Sequence, residues 1–312
     1  MNILVYGAGV LGSLLAHTLH RNGHHVTLLA RGQRLEELKQ KGVVIHHWLQ
    51  CRTTRDTVSL TDTLLPDDAY DIIFVVMRVS QLHEVLPALA ANVGDPLIVL
   101  VGNNLDASGT ERYINMHSEA PRRVAFAFQT SGGRRENGRI ISIHKGGGKL
   151  TAGSIGGDKS AVALLSQTLE GTKMKLAPRN DMDAWLKSHA AFVLPLAMVC
   201  YAVDGKLKRA ALNKALLNRA IDAMDEAYCV LEASGVPVPP EDVGFVRSQR
   251  RKCYRFIKFL AMTPIGRLAA SDHAMNAKDE MRRLYDDFQQ LIDAAGIGTP
   301  AWDELGQHMP VV

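Results

Sequence analysis

Ile3-Leu4-Val5-Tyr6-Gly7-Ala8-Gly9-Val10-Leu11-Gly12-Ser13-Leu14-Leu15-Ala16-His17-Thr18-Leu19 lies near the start of the chain, and His24-His25-Val26-Thr27-Leu28-Leu29-Ala30-Arg31-Gly32-Gln33-Arg34 follows closely. The first four residues form an apolar run long enough for one buried strand. A glycine turn comes next, then helical spacing from Ser13, then a β-rich run. Strand, glycine turn, helix and strand within about 30 residues make the dinucleotide-binding unit. Each glycine has its own task there. Gly7 permits the tight turn, Gly9 lets backbone approach a pyrophosphate, and Gly12 lets the helix lie close on the strand. The pyrophosphate would sit on free amides at the positive end of the helix dipole. Gly7, Ala8, Gly9, Val10, Leu11 and Gly12 are therefore expected to bind cofactor, against the alternative of a purely structural turn.

The end of the second strand bears on which dinucleotide binds. An NAD site carries Asp or Glu about 20 residues beyond the glycines, to accept from the ribose 2′-hydroxyl. Here Leu29-Ala30-Arg31-Gly32-Gln33-Arg34 contains no carboxylate. Arg31 is placed to meet a 2′-phosphate through charge-assisted hydrogen bonds, which points to NADPH. The competing reading of Arg31 is a solvated arginine on a loop.

The chain has 312 residues, long enough for two domains. Hydrophobic content of 46% with 22% charged residues is ordinary for a globular protein, and the formal charge is only +4. No basic run with interleaved aromatics of the nucleic-acid-binding kind is expected, and no apolar stretch near the ~20 residues needed to span a bilayer. Met1-Asn2 leads directly into a strand, so no leader peptide is expected and a cytoplasmic location is. Cys51, Cys200, Cys229 and Cys253 lack metal-ligand spacing and are expected to be reduced thiols.

After Arg34 a short helix over Leu35 to Gln40 should lead into a strand at Gly42 to His46, with a further extended segment from Arg52 to Leu60. Asp71 to Met77 and Pro96 to Val101 read as strands covered on both faces, separated by a helix over Leu82 to Ala90. Ligands in open α/β sheets bind beyond the carboxyl ends of strands, so Arg78, Gln81 and Asn103 are cofactor-binding candidates. Their alternative is plain loop chemistry. Val124 to Gln129, Arg139 to His144 and Lys149 to Ala152 are further strands with hairpin punctuation, so the sheet should finish antiparallel. Beyond about Asn180 the pattern is helical: Trp185 to Ala202, Arg209 to Ala233, Glu241 to Met262 and Ala277 to Ala295. This shift divides the chain into a Rossmann domain over residues 1–178 and a helical domain over 179–312.

Two charged residues in the helical half are candidates for chemistry. Lys187 opens an otherwise apolar helix. Partly desolvated, it would suit donation of a proton to a developing alkoxide; otherwise it simply extends to solvent. Glu280 borders the apolar stripe of Met281, Leu284, Phe288 and Leu291, although a first-turn acid after an Asn276 cap would explain it equally.

Taken together, Gly7-x-Gly9-x-x-Gly12 with Arg31, Arg78-x-x-Gln81, Asn103, Thr130-Ser131 to Arg135 and Gly138, Trp185-x-Lys187, and Asp279-Glu280 to Gly296-x-x-Thr299-Pro300 resemble the ketopantoate reductase (2-dehydropantoate 2-reductase) family over essentially the full length. The resemblance implies an α/β fold, with an N-terminal Rossmann domain followed by an all-helical domain like the C-terminal part of 6-phosphogluconate dehydrogenase. It also implies NADPH, no metal, and a place in pantothenate biosynthesis. Lys187 would protonate the substrate oxygen during hydride transfer, Glu280 would support the active-site network, and Asn103 would lie beside the nicotinamide and the substrate. A serine near Ser271 would hold substrate, and His273 is a further polar or acid–base candidate at that place.

The chain departs from the family at one point. The family's lysine is followed one and two helical turns later by asparagines facing the substrate, and these positions are Ala191 and Pro195 here. No register of Trp185 to Ala202 supplies an asparagine. The expected activity is NADPH-dependent reduction of a small 2-keto acid or related carbonyl compound less hydroxylated than ketopantoate. The alternative is a dinucleotide-binding sensor without turnover. The expected partners are that small molecule and at most a second copy in a homodimer, with no nucleic acid and no membrane.

Overall fold

The computed structural model describes residues 1–311. By internal contacts the chain divides into one unit of Met1–Gly102 and Asp106–Asp183, and another of Asn103–Leu105 and Ala184–Val312.

The first unit begins with β1 (Asn2–Tyr6), α1 (Val10–Arg21), β2 (His25–Leu29) and α2 (Gly32–Lys41). β3 (Val43–His47), β4 (Arg52–Asp56), β5 (Ser59–Thr61) and β6 (Ile72–Val76) follow, then α3 (Val79–Leu82), α4 (Leu86–Ala91), β7 (Leu97–Val101) and α5 (Ala107–His117). β8 (Val124–Thr130), β9 (Gly132–Glu136), β10 (Arg139–Ile143), β11 (Lys149–Gly153), α6 (Lys159–Leu169) and β12 (Lys175–Pro178) complete it. The main sheet has the order β12-β11-β8-β7-β6-β1-β2-β5. Its run from β5 through β2, β1, β6 and β7 to β8 is parallel, and the strand order reverses beside β1. That is the doubly wound order with its ligand-binding switch point. The sequence explains why these strands are central. β6 (Ile-Ile-Phe-Val-Val) and β7 (Leu-Ile-Val-Leu-Val) are buried at every residue, as a sheet covered on both faces requires.

Several expectations are corrected. β11 does run antiparallel to β8, but β12 then pairs parallel to β11. The Arg139 to His144 strand is not in the main sheet. It is β10 of a second sheet ordered β4-β3-β10-β9, parallel to β3 and antiparallel to β9. The Arg52 to Leu60 segment is two strands, β4 and β5, in different sheets. The Leu82 to Ala90 helix is broken into α3 and α4, because Pro87 lacks an amide and sits in the first turn of a new helix.

The second sheet and α1 enclose a row of imidazoles. His17 Nδ1 lies 2.5 Å from Asp56 Oδ2, and Arg21 Nε donates to Asp56 Oδ1 at 2.7 Å. The His17 and His47 rings are 5.0 Å apart. His47 contacts His144 Nε2 at 3.0 Å and Thr54 Oγ1 at 2.8 Å, while His144 Nδ1 contacts the Gly146 carbonyl. His17, His47 and His144 are 6%, 2% and 7% exposed, so charging any of them is unfavourable. Burial lowers all three pKa values, His47 to about 4, and Arg52, Arg21 and the neighbouring imidazoles add to this. Asp56 opposes the shift at His17.

A pH prediction follows from the sign of these shifts. The unfolded chain takes up protons near 6.5 that the folded cluster refuses, so stability is greatest above that pH and falls towards pH 4. His47 alone accounts for roughly 3 kcal/mol over that interval. Urea unfolding between pH 7.5 and 4.5 should show the decline, and His47→Gln, which cannot charge, should flatten it. An identical slope in the variant would move the acid sensitivity elsewhere.

The second unit is helical: α7 (Met182–Ala202, largely in this unit), α8 (Leu207–Leu212), α9 (Lys214–Ala233), α10 (Pro240–Val246) and α11 (Arg250–Met262). A short turn, α12 (Pro264–Gly266), leads through a wide π-type turn at Arg267–Ser271 into α13 (Asp272–Asn276), then α14 (Lys278–Ala295) and α15 (Pro300–Gly306). α14 ends at Gly296 in the left-handed region, and Glu226 of α9 accepts from the Ala301 and Trp302 amides that begin α15. Trp302 is fully buried against Phe288 and Tyr285.

Two further corrections concern this unit. α7 is, contrary to expectation, long and apolar enough to cross a membrane, yet 61% of its most apolar window is buried within the protein. α11 reads Arg-Arg-Lys-Cys-Tyr-Arg-Phe-Ile-Lys-Phe-Leu-Ala-Met, a basic run with interleaved aromatics that composition alone concealed.

Candidate functional site

In the Rossmann unit the glycine turn adopts a geometry that other residues would not permit. Gly7 has φ +119°, and a Cβ there would meet the Val76 carbonyl oxygen at 2.2 Å. A Cβ on Gly12 would lie 1.9 Å from the Gly7 carbonyl oxygen, so α1 can approach β1 only with glycine at that position. Gly9 differs, because its Cβ position faces open space. Gly9 also caps α1, and having no side chain it leaves the first-turn amides uncapped by its own residue. This cradle fits a dinucleotide pyrophosphate.

Arg34 holds that turn in place, a role the sequence did not reveal. It is 7% exposed. Nε donates to the Ala8 carbonyl at 3.1 Å, Nη1 to the Gly138 carbonyl at 2.9 Å and Nη2 to Ser13 Oγ at 3.3 Å. Ser13 Oγ in turn donates to the same Ala8 carbonyl. A trans peptide carries its carbonyl and its amide on opposite sides. Holding the Ala8 oxygen towards Arg34 therefore turns the Gly9 amide away from it. Burial lowers the Arg34 pKa, with Glu37 opposing.

Arg31 is exposed at the start of α2. It donates to the Tyr6 hydroxyl at 2.6 Å and the Asp62 carbonyl at 3.0 Å, with the guanidinium 5.6 Å from the Tyr6 ring centre. These contacts hold a cation at the end of β2. Arg78 and Gln81 belong to the short turn after β6, half-buried and exposed respectively.

In the helical unit the structure brings three candidates together. Asn103 Nδ2 donates to Glu280 Oε1 at 3.1 Å, and His273 Nε2 lies 3.5 Å from Glu280 Oε2. Glu280 is 3% exposed, so this residue at the border of the α14 apolar stripe is itself buried. The cap proposed for it is absent: Asn276 Nδ2 donates back to the Asp272 carbonyl, and Ala277 occupies the cap position. Tyr201, unremarked in the sequence, ties α7 to α13 by donating to the Ala274 carbonyl at 2.7 Å. Burial raises its pKa, with the Cys200, Glu280 and Asp279 charges adding, so it stays a neutral donor.

Lys187 is half-buried on α7. The next residue, Ser188, is fully buried and donates to Asp242 Oδ2 at 3.1 Å, which fixes the rotation of the helix that carries the lysine. Trp185 stacks on His189 with rings 5.1 Å apart and nearly parallel. Ser271 lies two residues before His273 in the chain. It is buried in the π-type turn and donates to the Gly205 carbonyl at 3.4 Å. It also bonds Cys200, whose thiol burial pushes up to about 12.

A doubly wound domain with this turn, followed by a helical domain, has the form of a nicotinamide-dependent oxidoreductase. Residues 3–157 match the family model described as ketopantoate reductase PanE/ApbA. Over 238 residues the chain is 26% identical to a 2-dehydropantoate 2-reductase of Archaeoglobus fulgidus, covering 75% of this chain and 74% of that one. The solved 2-dehydropantoate 2-reductase of Geobacter metallireducens shares the fold at a TM-score of 0.78 and 15% identity, over 99% of both chains. A D-mandelate dehydrogenase, solved with NADH and anilino(oxo)acetate, does so at 0.77 and 16%, over 99% of this chain and 97% of that one. The chain belongs to the ketopantoate reductase family.

Proposed function

We propose that the protein is an NADPH-dependent reductase of a small 2-keto acid or related carbonyl compound, less hydroxylated than ketopantoate. The Asn103–Glu280–His273 group carries this reading, because it gathers a carboxylate, an amide and an imidazole from separated parts of the chain. When bound, NADPH supplies the hydride. Gly7 to Gly12 hold its pyrophosphate, Arg31 its 2′-phosphate, and Arg78 and Gln81 complete that side. Lys187 gives its proton to the carbonyl oxygen, and Glu280 accepts hydrogen bonds that orient Asn103 and the substrate. Ser271 and His273 are the remaining substrate-side groups.

Ala191 and Pro195 favour an apolar substituent where the family's amides meet a hydroxyl. The oxoacetate held by the D-mandelate dehydrogenase supports including aryl-substituted keto acids among the candidates. A panel of 2-keto acids followed by NADPH absorbance tests the reading. The expected result is turnover of an apolar keto acid, with ketopantoate well below about 10⁴ M⁻¹s⁻¹ in kcat/KM, the lower end for ordinary enzymes. A value above that for ketopantoate would overturn the substrate assignment. NADPH binding without reduction of any carbonyl would favour a sensor.

Cofactor choice has a separate test. Losing a charge-assisted phosphate contact costs about 1.5–3 kcal/mol. Arg31→Ala should therefore weaken NADPH by roughly ten- to a hundredfold and leave NADH nearly unchanged. Equal losses in the two titrations would remove Arg31 from 2′-phosphate recognition.

A further inference from the structure

Nine large hydrophobic side chains are exposed among the described residues, and four of them, Leu212, Phe256, Phe259 and Met262, lie on α8 and α11. These two helices pack against each other. α11 already spends one apolar stripe on the interior, through Cys253, Ile257 and Ala261. Phe256, Phe259 and Met262 make a second stripe on the solvent side at i, i+3 and i+6, 43%, 55% and 49% exposed, where an ordinary amphipathic helix is polar. Cations surround it. Lys208 and Arg209 on α8 and Arg251, Lys252, Arg255 and Lys258 on α11 are all exposed, and neither helix contains a carboxylate. Arg250, the remaining cation of α11, is paired with Asp222.

We propose that the α8–α11 face docks on an anionic lipid surface, with α11 lying in the headgroup layer. The charge pattern selects this occupant. A second copy meeting the same patch across a two-fold axis would set cations against cations. Anionic headgroups complement all six exposed cations at once. The apolar component is what separates a lipid surface from a nucleic acid. Leu212 and Met262 are aliphatic and give hydrocarbon contact, whereas bases are held by stacking on aromatic or guanidinium planes. Contact of this kind is peripheral and requires no spanning segment.

The test is co-sedimentation of the full chain with phosphatidylcholine vesicles, with and without phosphatidylglycerol, at low and high salt. Binding is expected only to the anionic vesicles and should be lost in high salt. Arg255→Glu/Lys258→Glu and Phe256→Ser/Phe259→Ser should each weaken it by at least about tenfold. The charge variant should keep its melting temperature and reductase activity; the serine variant, which also gives up the edge-to-face contact of Phe256 with the Phe245 ring, should keep reductase activity in its folded fraction. Lys39→Glu, a charge reversal on the other unit, should leave vesicle binding intact. Failure to bind anionic vesicles, or equal binding to neutral ones, overturns the proposal. So does tighter binding to an oligonucleotide that survives the double serine substitution. A dimer in light scattering that dissociates on that substitution would instead assign the face to self-association.

Discussion

Lys187→Ala should lower turnover of the best substrate by about 10²–10⁴, the usual contribution of a positioned proton donor. NADPH affinity should barely change, because the residues assigned to the cofactor's phosphates, Gly7 to Gly12 and Arg31, lie in the Rossmann unit and Lys187 in the helical one. Lys187→Gln keeps much of the length and polarity without a transferable proton, so it should be nearly as damaging. A packing or salt-bridge role makes a different prediction: a lower melting temperature, with activity largely kept in the folded fraction. Melting temperature, NADPH binding and turnover, measured side by side for the wild type and both variants, separate these outcomes. Full activity in either folded variant would exclude Lys187 from the mechanism.

The second large effect is expected at Arg34. Arg34→Met leaves the Gly138 carbonyl without its donor, leaves the Ala8 carbonyl with the Ser13 hydroxyl alone, and breaks the contacts to Ser13 and the Glu37 carboxylate. Each buried acceptor left without a partner costs about 1–3 kcal/mol, so a stability loss of roughly 2–4 kcal/mol is expected. NADPH affinity should also fall, because the Ala8–Gly9 peptide is no longer held in one orientation. Arg34→Lys keeps the charge but cannot bridge three acceptors with a planar fork, so it should recover only part of either loss. Urea unfolding and NADPH titration of the two variants check this. If stability falls while affinity is unchanged, Arg34 is a packing residue and the turn holds itself.

The contrast between Arg31 and Arg34 shows how far the sequence could be read. Arg31 could be singled out because its place, at the end of the second strand of a known unit, carries a chemical expectation. Arg34 could not, because its acceptors at Ala8 and Gly138 lie 26 and 104 residues away and no local pattern predicts them. The same distinction runs through the fold. β6 and β7 announce themselves as unbroken apolar runs, whereas β9, Gly-Gly-Arg-Arg-Glu, has no apolar residue at all and exists through its pairing with β10. Glu280 was read as bordering the core, and its burial goes with contacts to Asn103, 177 residues away, and to His273. Asn276 was misread because its side chain found the Asp272 carbonyl of its own helix before it could cap the next one.

The parallel pairing of β3 with β10 bears on how the chain is made. Ile45 faces Ile140, so β3 must wait about 95 residues for its partner. At synthesis rates of about 5–20 residues per second that delay is on the order of 5–20 s. Until β10 emerges from the ribosome, the β3 side of the β3–β4 hairpin is unpaired, and His47 lacks the His144 contact that helps to seat it. Pairing at such a distance in sequence is slow to nucleate. Nascent chains released before about residue 143 would therefore keep that β3 edge open, as a template for pairing with other chains.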